Sequence, residues 1–187
     1  MRKVEVVPYK KEWSKLFHDE CQKLEDIFGP EMMNVYHIGS TAIPAIHAKP
    51  VIDILAVVKD VECVADFNKE MEEMGYDAKG ENGIAGRRFF RKGGDERTHH
   101  IHMFQKGHEE IARHLAFRDY LLSYPDKAQE YSRLKQRLAA EFPDDIKGYV
   151  NGKNDFIKKV DEKAKHWAAS LNEGDHHVNE VDQMPSE

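Results

Sequence analysis

Cysteine is scarce in this chain. Among 187 residues there are two, Cys21 and Cys63. They stand far apart in unlike segments, which argues against a disulfide framework or a cysteine zinc site and fits a reducing compartment. Long apolar runs are missing as well. No window approaches a membrane span, and the opening MRKVEVVPYKKEW lacks the apolar stretch of a signal peptide. The expected location is therefore cytoplasmic, with no membrane partner. Positive charge is not in excess: 28 Lys and Arg against 34 Asp and Glu leave −6 at pH 7. A nucleic-acid partner is accordingly not expected. No internal repeat is visible, and oligomeric state is left open.

What is present is the composition of a soluble globular protein, 40% hydrophobic and 33% charged, long enough for a real core. Residues 3–7 are a short β-prone run closed by Pro8. Trp13, Phe17, Cys21, Leu24 and Phe28 recur at helical spacing within 10–28, and Gly29-Pro30 ends the pattern. Strands are expected over 33–38 and 51–58, the second apolar enough to be covered on both faces. A helix is expected over 61–74. Strands over 86–92 and 98–104 flank Gly93-Gly94-Asp95, a hairpin signal. Helices over 109–123, 126–142 and 145–169 follow, separated by Pro125 and Pro143. The division that results is an α/β core over 1–107, a helical region over 108–170 packed on it, and an acidic tail over 171–187 expected to be disordered.

The stretch 36–58, YHIGSTAIPAIHAKPVIDILAVV, holds the main chemical signal. Backbone N–H groups of a small turn with hydroxyls, Gly39-Ser40-Thr41, can wrap phosphate oxygens. The alternative is a tight turn whose hydroxyl caps a short helix. Asp53 lies on an apolar strand, where a carboxylate is costly unless paired or holding a cation. It would bind a cation, act as a base, or pair with Lys49 or an arginine for structure.

His100 and His102 alternate on one strand and share a face. Two imidazoles at that spacing can share a metal, or simply hydrogen-bond in a half-polar strand. His37 beside the turn is a weaker candidate, and His99 faces the other way. On the first hairpin strand Arg88 is expected to meet an anion, and Arg87, of opposite parity, to protect an exposed edge. Cations also interrupt two apolar helix stripes: Arg118 in Ile111, Leu115, Leu122, and Lys153 in Tyr149, Phe156, Val160. Such a cation either snorkels to water or points at an anion. Tyr131, Leu134, Leu138 and Phe142 read as plain core.

HIGSTAIPAIHAKPVIDI, THHIHMF, HLAFRDYL, AQEYSRLKQRLA and YVNGKNDFI together resemble the signature of the GrpB family, a branch of the nucleotidyltransferase superfamily with a DNA polymerase beta-like fold. The resemblance spans about residues 4–168. It implies an α/β (α+β) fold, a nucleotidyltransferase-type mixed sheet with flanking helices and a helical C-terminal region. It also implies a nucleotide or phosphorylated small molecule as ligand and a divalent metal, Mg²⁺ or Mn²⁺ and possibly Zn²⁺. By resemblance Gly39, Ser40 and Thr41 match the phosphate turn and Asp53 the first metal-binding carboxylate. The second carboxylate would stand at Leu55, which cannot bind a cation. The third would lie on the strand that carries His100 and His102.

The expected activity is transfer of a nucleotidyl or phosphoryl group. Asp53, His100 and His102 are the catalytic and metal candidates. Lys49, Arg88, Arg118 and Lys153 join the turn in neutralising phosphate. The alternatives are a silent nucleotide-binding module that has lost its acids and a His/Asp metalloenzyme on the same scaffold. No kinase P-loop is present.

Overall fold

A computed structural model describes residues 3–181, with side chains over 3–172. Helix α1, Glu12–Phe28, leads into strand β1, Met32–Ile38. Strand β2, Ile52–Val58, follows, then α2, Asn68–Glu73, and β3, Tyr76–Ala78. The hairpin strands are β4, Arg87–Lys92, and β5, His99–Gln105. Helices α3, Glu109–Ser123, α4, Pro125–Glu141, and α5, Ile146–Val181, complete the chain.

The five strands form one mixed sheet in the order β1-β2-β5-β4-β3. Only β2 and β5 run parallel, and both are central. Strand β2 is buried along nearly its whole length, as its near-continuous apolar content, interrupted only by Asp53, requires of a strand covered on both faces. Ile52, Ile54, Ala56 and Val58 join Ile101 and Met103 against Trp13, Phe17, Leu24 and Phe28 of α1. On the opposite face Leu55, Ile38 and Phe104 are capped by Ile111 and Leu115 of α3. The last three helices therefore roof the face that also carries Asp53, His100 and His102.

The segment 61–67 is a 3-10 helix rather than the start of an α-helix. Val61 and Val64 are buried three residues apart, the repeat of a 3-10 turn, and the Asp60 carboxylate accepts from Glu62 N–H. The β-prone run 3–7 makes only a single bridge, Val7 to Ala48. Strand β3, three residues long, adds an edge that no sequence signal marks. The helical backbone of α5 continues to Val181, across eleven residues expected to be disordered; no proline interrupts the chain there before Pro185. The rest of that expected tail, 182–187, lies outside the described residues.

Candidate functional site

Strand register sets the site. One row crosses all five strands on the roofed face: Ile38, Asp53, His100, Arg91 and Asp77. The next row places Tyr36, Leu55, His102 and Phe89 in line. Because side chains alternate, Asp53 meets both histidines directly. His100 donates Nδ1–H to Asp53 Oδ1 at 3.2 Å, and His102 Nε2 lies 3.9 Å from the same oxygen. Burial alone would raise the Asp53 pKa. The hydrogen bond from His100, and the charge of both nearby imidazoles, overcome it and hold the carboxyl far below the usual carboxylate range.

Arginines fix the histidine protons. Arg87 Nη1 lies 3.3 Å from His102 Nδ1, and a guanidinium can only donate. His102 therefore accepts at Nδ1 and carries its proton on Nε2, the nitrogen facing Asp53. Arg113 does the same to His114 Nε2 at 3.3 Å. Burial and the nearby His102 and Arg113 push the His114 pKa down to about 3, so that imidazole is neutral.

Above Asp53 a cavity of about 240 Å³ opens between the sheet and the helices. Its floor is the turn Gly39-Ser40-Thr41 with Asp53 and His100. Its roof is Phe117 of α3, Tyr131 and Lys135 of α4, and Tyr149 and Lys153 of α5, with Lys49 at one side. The Lys49 and Lys153 ammonium groups lie 5.3 and 4.7 Å from the Tyr149 ring centroid, and that of Lys135 lies 4.5 Å from the Tyr131 centroid. Lys135 is 2% exposed and donates to the His47 carbonyl. Burial, then the charge of Lys153, brings its pKa down to about 7. Burial lowers Lys153 too, against the pull of Asp53. Tyr131 is pushed up to about 12 by burial, offset in part by its hydrogen bond with Ser40.

The structure thus gathers Gly39, Ser40, Thr41, Lys49, Asp53, His100 and Lys153 around one space. Thr41 is tied down there, bonded to His37 Nε2 at 2.9 Å and to the Val51 carbonyl at 3.4 Å. His37 itself faces α1, stacked on Phe17. Arg118 is elsewhere: it donates to the His37 carbonyl at 3.1 Å and to Asp119 at 2.8 Å, tying α3 to the end of β1. Arg88 is also outside, on the opposite sheet face, paired with exposed Glu62 at 2.9 Å. The parity of β4 is the reverse of that expected, because the strand register puts Arg87, Phe89 and Arg91 on the histidine face.

Sequence reasoning missed Lys135. Its signal was the one that exposed Arg118 and Lys153: Lys135 lies four residues after Tyr131 and three before Leu138, inside the apolar stripe of α4. Tyr131 reads as plain core in the sequence, yet it lines the cavity.

The metal implied by the resemblance fits these residues poorly. Paired Mg²⁺ needs several oxygen ligands, and Leu55, fully buried against Ile38 and Phe104, stands where the second carboxylate would be. Asp53 Oδ1 already accepts from His100, with His102 Nε2 at 3.9 Å. Among the described residues no group of three His, Cys, Asp or Glu side chains is placed to hold an ion. Nor, among them, is any helix long and apolar enough to cross a membrane.

The UPF0157 protein YqkA of Bacillus subtilis is 50% identical over 171 residues, 91% of this chain and 50% of that protein, so the chain spans half the length of YqkA. The glutamate-rich protein GrpB of Alkalihalophilus pseudofirmus is 36% identical over 160 residues, covering 83% of this chain and 92% of that one. The crystal structure of conserved protein GrpB from Enterococcus faecalis superposes with a TM-score of 0.84 at 43% identity, over 87% of this chain and 99% of that chain. The profile described as GrpB protein matches residues 3–163, and the chain belongs to the GrpB family.

Proposed function

We propose that the cavity holds the phosphate groups of a nucleotide or other phosphorylated small molecule, and that the protein transfers a nucleotidyl or phosphoryl group to a small acceptor. The observation that carries this reading is the convergence of Lys49, Lys135 and Lys153 on one space floored by the Gly39-Ser40-Thr41 turn. Lys153, Lys49 and the titrating Lys135 outnumber the one carboxylate that lines the cavity, which favours an anion. At about 240 Å³ the space is below the roughly 300–1,000 Å³ of drug-sized sites. It suits a phosphate chain, with the rest of the ligand projecting outward.

Calorimetric titration with ATP, UTP and inorganic triphosphate tests this, first in EDTA and then with Mg²⁺ or Mn²⁺. Binding in EDTA is expected, and Lys153→Met should weaken it roughly 10- to 100-fold, the worth of one charged hydrogen bond (about 1.5–3 kcal/mol). Failure of all three probes to bind, or an unchanged affinity in Lys153→Met, would overturn the proposal. Leu55 supports a second reading, a nucleotide-binding module without turnover. Binding that persists with no product formed from any acceptor would select it.

A further inference from the structure

The histidine pair on β5 is chemically unequal. His102 is flanked at both ends, hydrogen-bonded at Nδ1 to the Arg87 guanidinium at 3.3 Å and with Nε2 facing Asp53 Oδ1 at 3.9 Å. His100 is held from one end only. Its Nδ1–H goes to Asp53 Oδ1 at 3.2 Å, and its Nε2 has no hydrogen-bond partner among the described residues. A neutral imidazole that donates through Nδ1 carries its lone pair on Nε2, on the ring edge away from Asp53. His100 also lines the cavity floor and His102 does not. On the neighbouring strand Arg91 is paired with His100 in register, and its buried Nε has no hydrogen-bond partner among the described residues. The nearest carboxylate, Asp77, is 3.6 Å from it.

We propose that His100 is the general base of this site, presenting the Nε2 lone pair to the acceptor, and that Asp53 is its positioning residue rather than a metal ligand. His102 and Arg87 hold Asp53 in place. The inference rests on the reading of the cavity as a phosphate-transfer site. In the step it describes, the acceptor is a hydroxyl-bearing small molecule and the donor a phosphorylated one. The hydroxyl proton passes to His100 Nε2. The acceptor oxygen bonds to phosphorus as the bond from phosphorus to the leaving phosphate oxygen breaks, and the leaving group keeps that electron pair. The imidazolium so formed lies against the Asp53 carboxylate, which stabilises it. The orienting role of a carboxylate on Nδ1–H follows the same logic as in an acid–base–nucleophile triad. Arg91, in register beside His100, places a positive charge on the neighbouring strand.

Two measurements test this. Long-range ¹H–¹⁵N correlation on the ligand-free protein at pH 7.5 reads each histidine tautomer, with assignments from His100→Gln and His102→Gln. His100 should be protonated at Nδ1 with a bare Nε2, His102 protonated at Nε2, and Asp53→Asn should abolish the fixed His100 tautomer. A His100 protonated at Nε2, or a tautomer indifferent to Asp53→Asn, overturns the proposal. Carbethoxylation by diethyl pyrocarbonate, followed by peptide mass spectrometry, reads the accessibility of that lone pair. His100 should react at least tenfold faster than His102, and saturating inorganic triphosphate should slow it tenfold or more. Equal rates overturn the dyad. Lack of protection despite measured triphosphate binding overturns its place in the cavity. Because the tautomers are read without ligand, they stand or fall independently of whether the cavity binds phosphate at all.

Discussion

A Cβ placed on Gly39 would stand 2.7 Å from Oδ2 of Asp53. The turn and the carboxylate therefore share one packing constraint, and the glycine is needed for the acid as much as for any phosphate. Gly39 also has φ +70°, a conformation that costs other residues of order 1–3 kcal/mol. Gly39→Ala is expected to lower stability by about 1–3 kcal/mol and displace Asp53. A fall in Tm of several degrees, together with loss of the fixed His100 tautomer, is the expected result. Thermal denaturation and histidine NMR check it.

Lys135 should make the proposed anion binding pH-dependent. Its pKa, brought down to about 7 by burial, means that an anion must draw a proton onto the amine at neutral and higher pH. Triphosphate affinity should fall as pH rises from 6 to 9, and binding near pH 8 should take up a proton. Calorimetry in buffers of different ionisation heats measures that uptake. The sign for folding follows from linkage. The unfolded chain binds more protons between about pH 7 and the ordinary lysine range near 10, so this group makes stability rise with pH across that window. Lys135→Met should flatten the rise and abolish the proton uptake.

The fold was largely legible because its signals are local. The apolar run of β2, the alternation in β5, the stripe in α1 and the prolines that open α4 and precede α5 each depend on a few adjacent residues. Asp53, His100 and the Gly-Ser-Thr turn were legible for the same reason: each breaks a local rule. What failed depended on register. The face on which Arg87 or Arg88 lies is decided by pairing with β5, and a one-residue shift exchanges them. Arg118 and Lys153 gave identical signals, a cation in an apolar stripe. Only the packing of α3 against β1 decides that the first ties down a strand end while the second reaches the cavity.

Those two arginines separate experimentally. Arg87 is buried and donates to the carbonyls of Glu81 and Asn82 at 3.0 and 2.6 Å besides facing His102. Arg87→Met leaves two carbonyls and His102 without their donor, and about 2–4 kcal/mol of destabilisation is expected. Arg88 pairs with Glu62, which is 77% exposed, and a screened pair of this kind contributes roughly 0–1 kcal/mol. Arg88→Ala should unfold within about 1 kcal/mol of wild type and leave triphosphate affinity unchanged. Urea denaturation and calorimetry on the two variants check the contrast.

Leu55→Asp asks whether one substitution can create a two-carboxylate metal site beside Asp53. Position 55 is paired in register with His102 and faces the same way as Asp53, so geometry alone would allow a second acid. Packing does not. Leu55 is fully buried among Ile38 and Phe104, with Ile111 and Leu115 of α3 closing over them. Losing that side chain costs about 2–5 kcal/mol even for alanine, and an uncompensated carboxylate adds several more. The variant should be strongly destabilised, with no Mg²⁺-dependent gain in Tm. A folded Leu55→Asp protein stabilised several degrees by millimolar Mg²⁺ would mean that the carboxylates can open toward an ion. In that case the assignment of Asp53 to His100 would give way to a metal site.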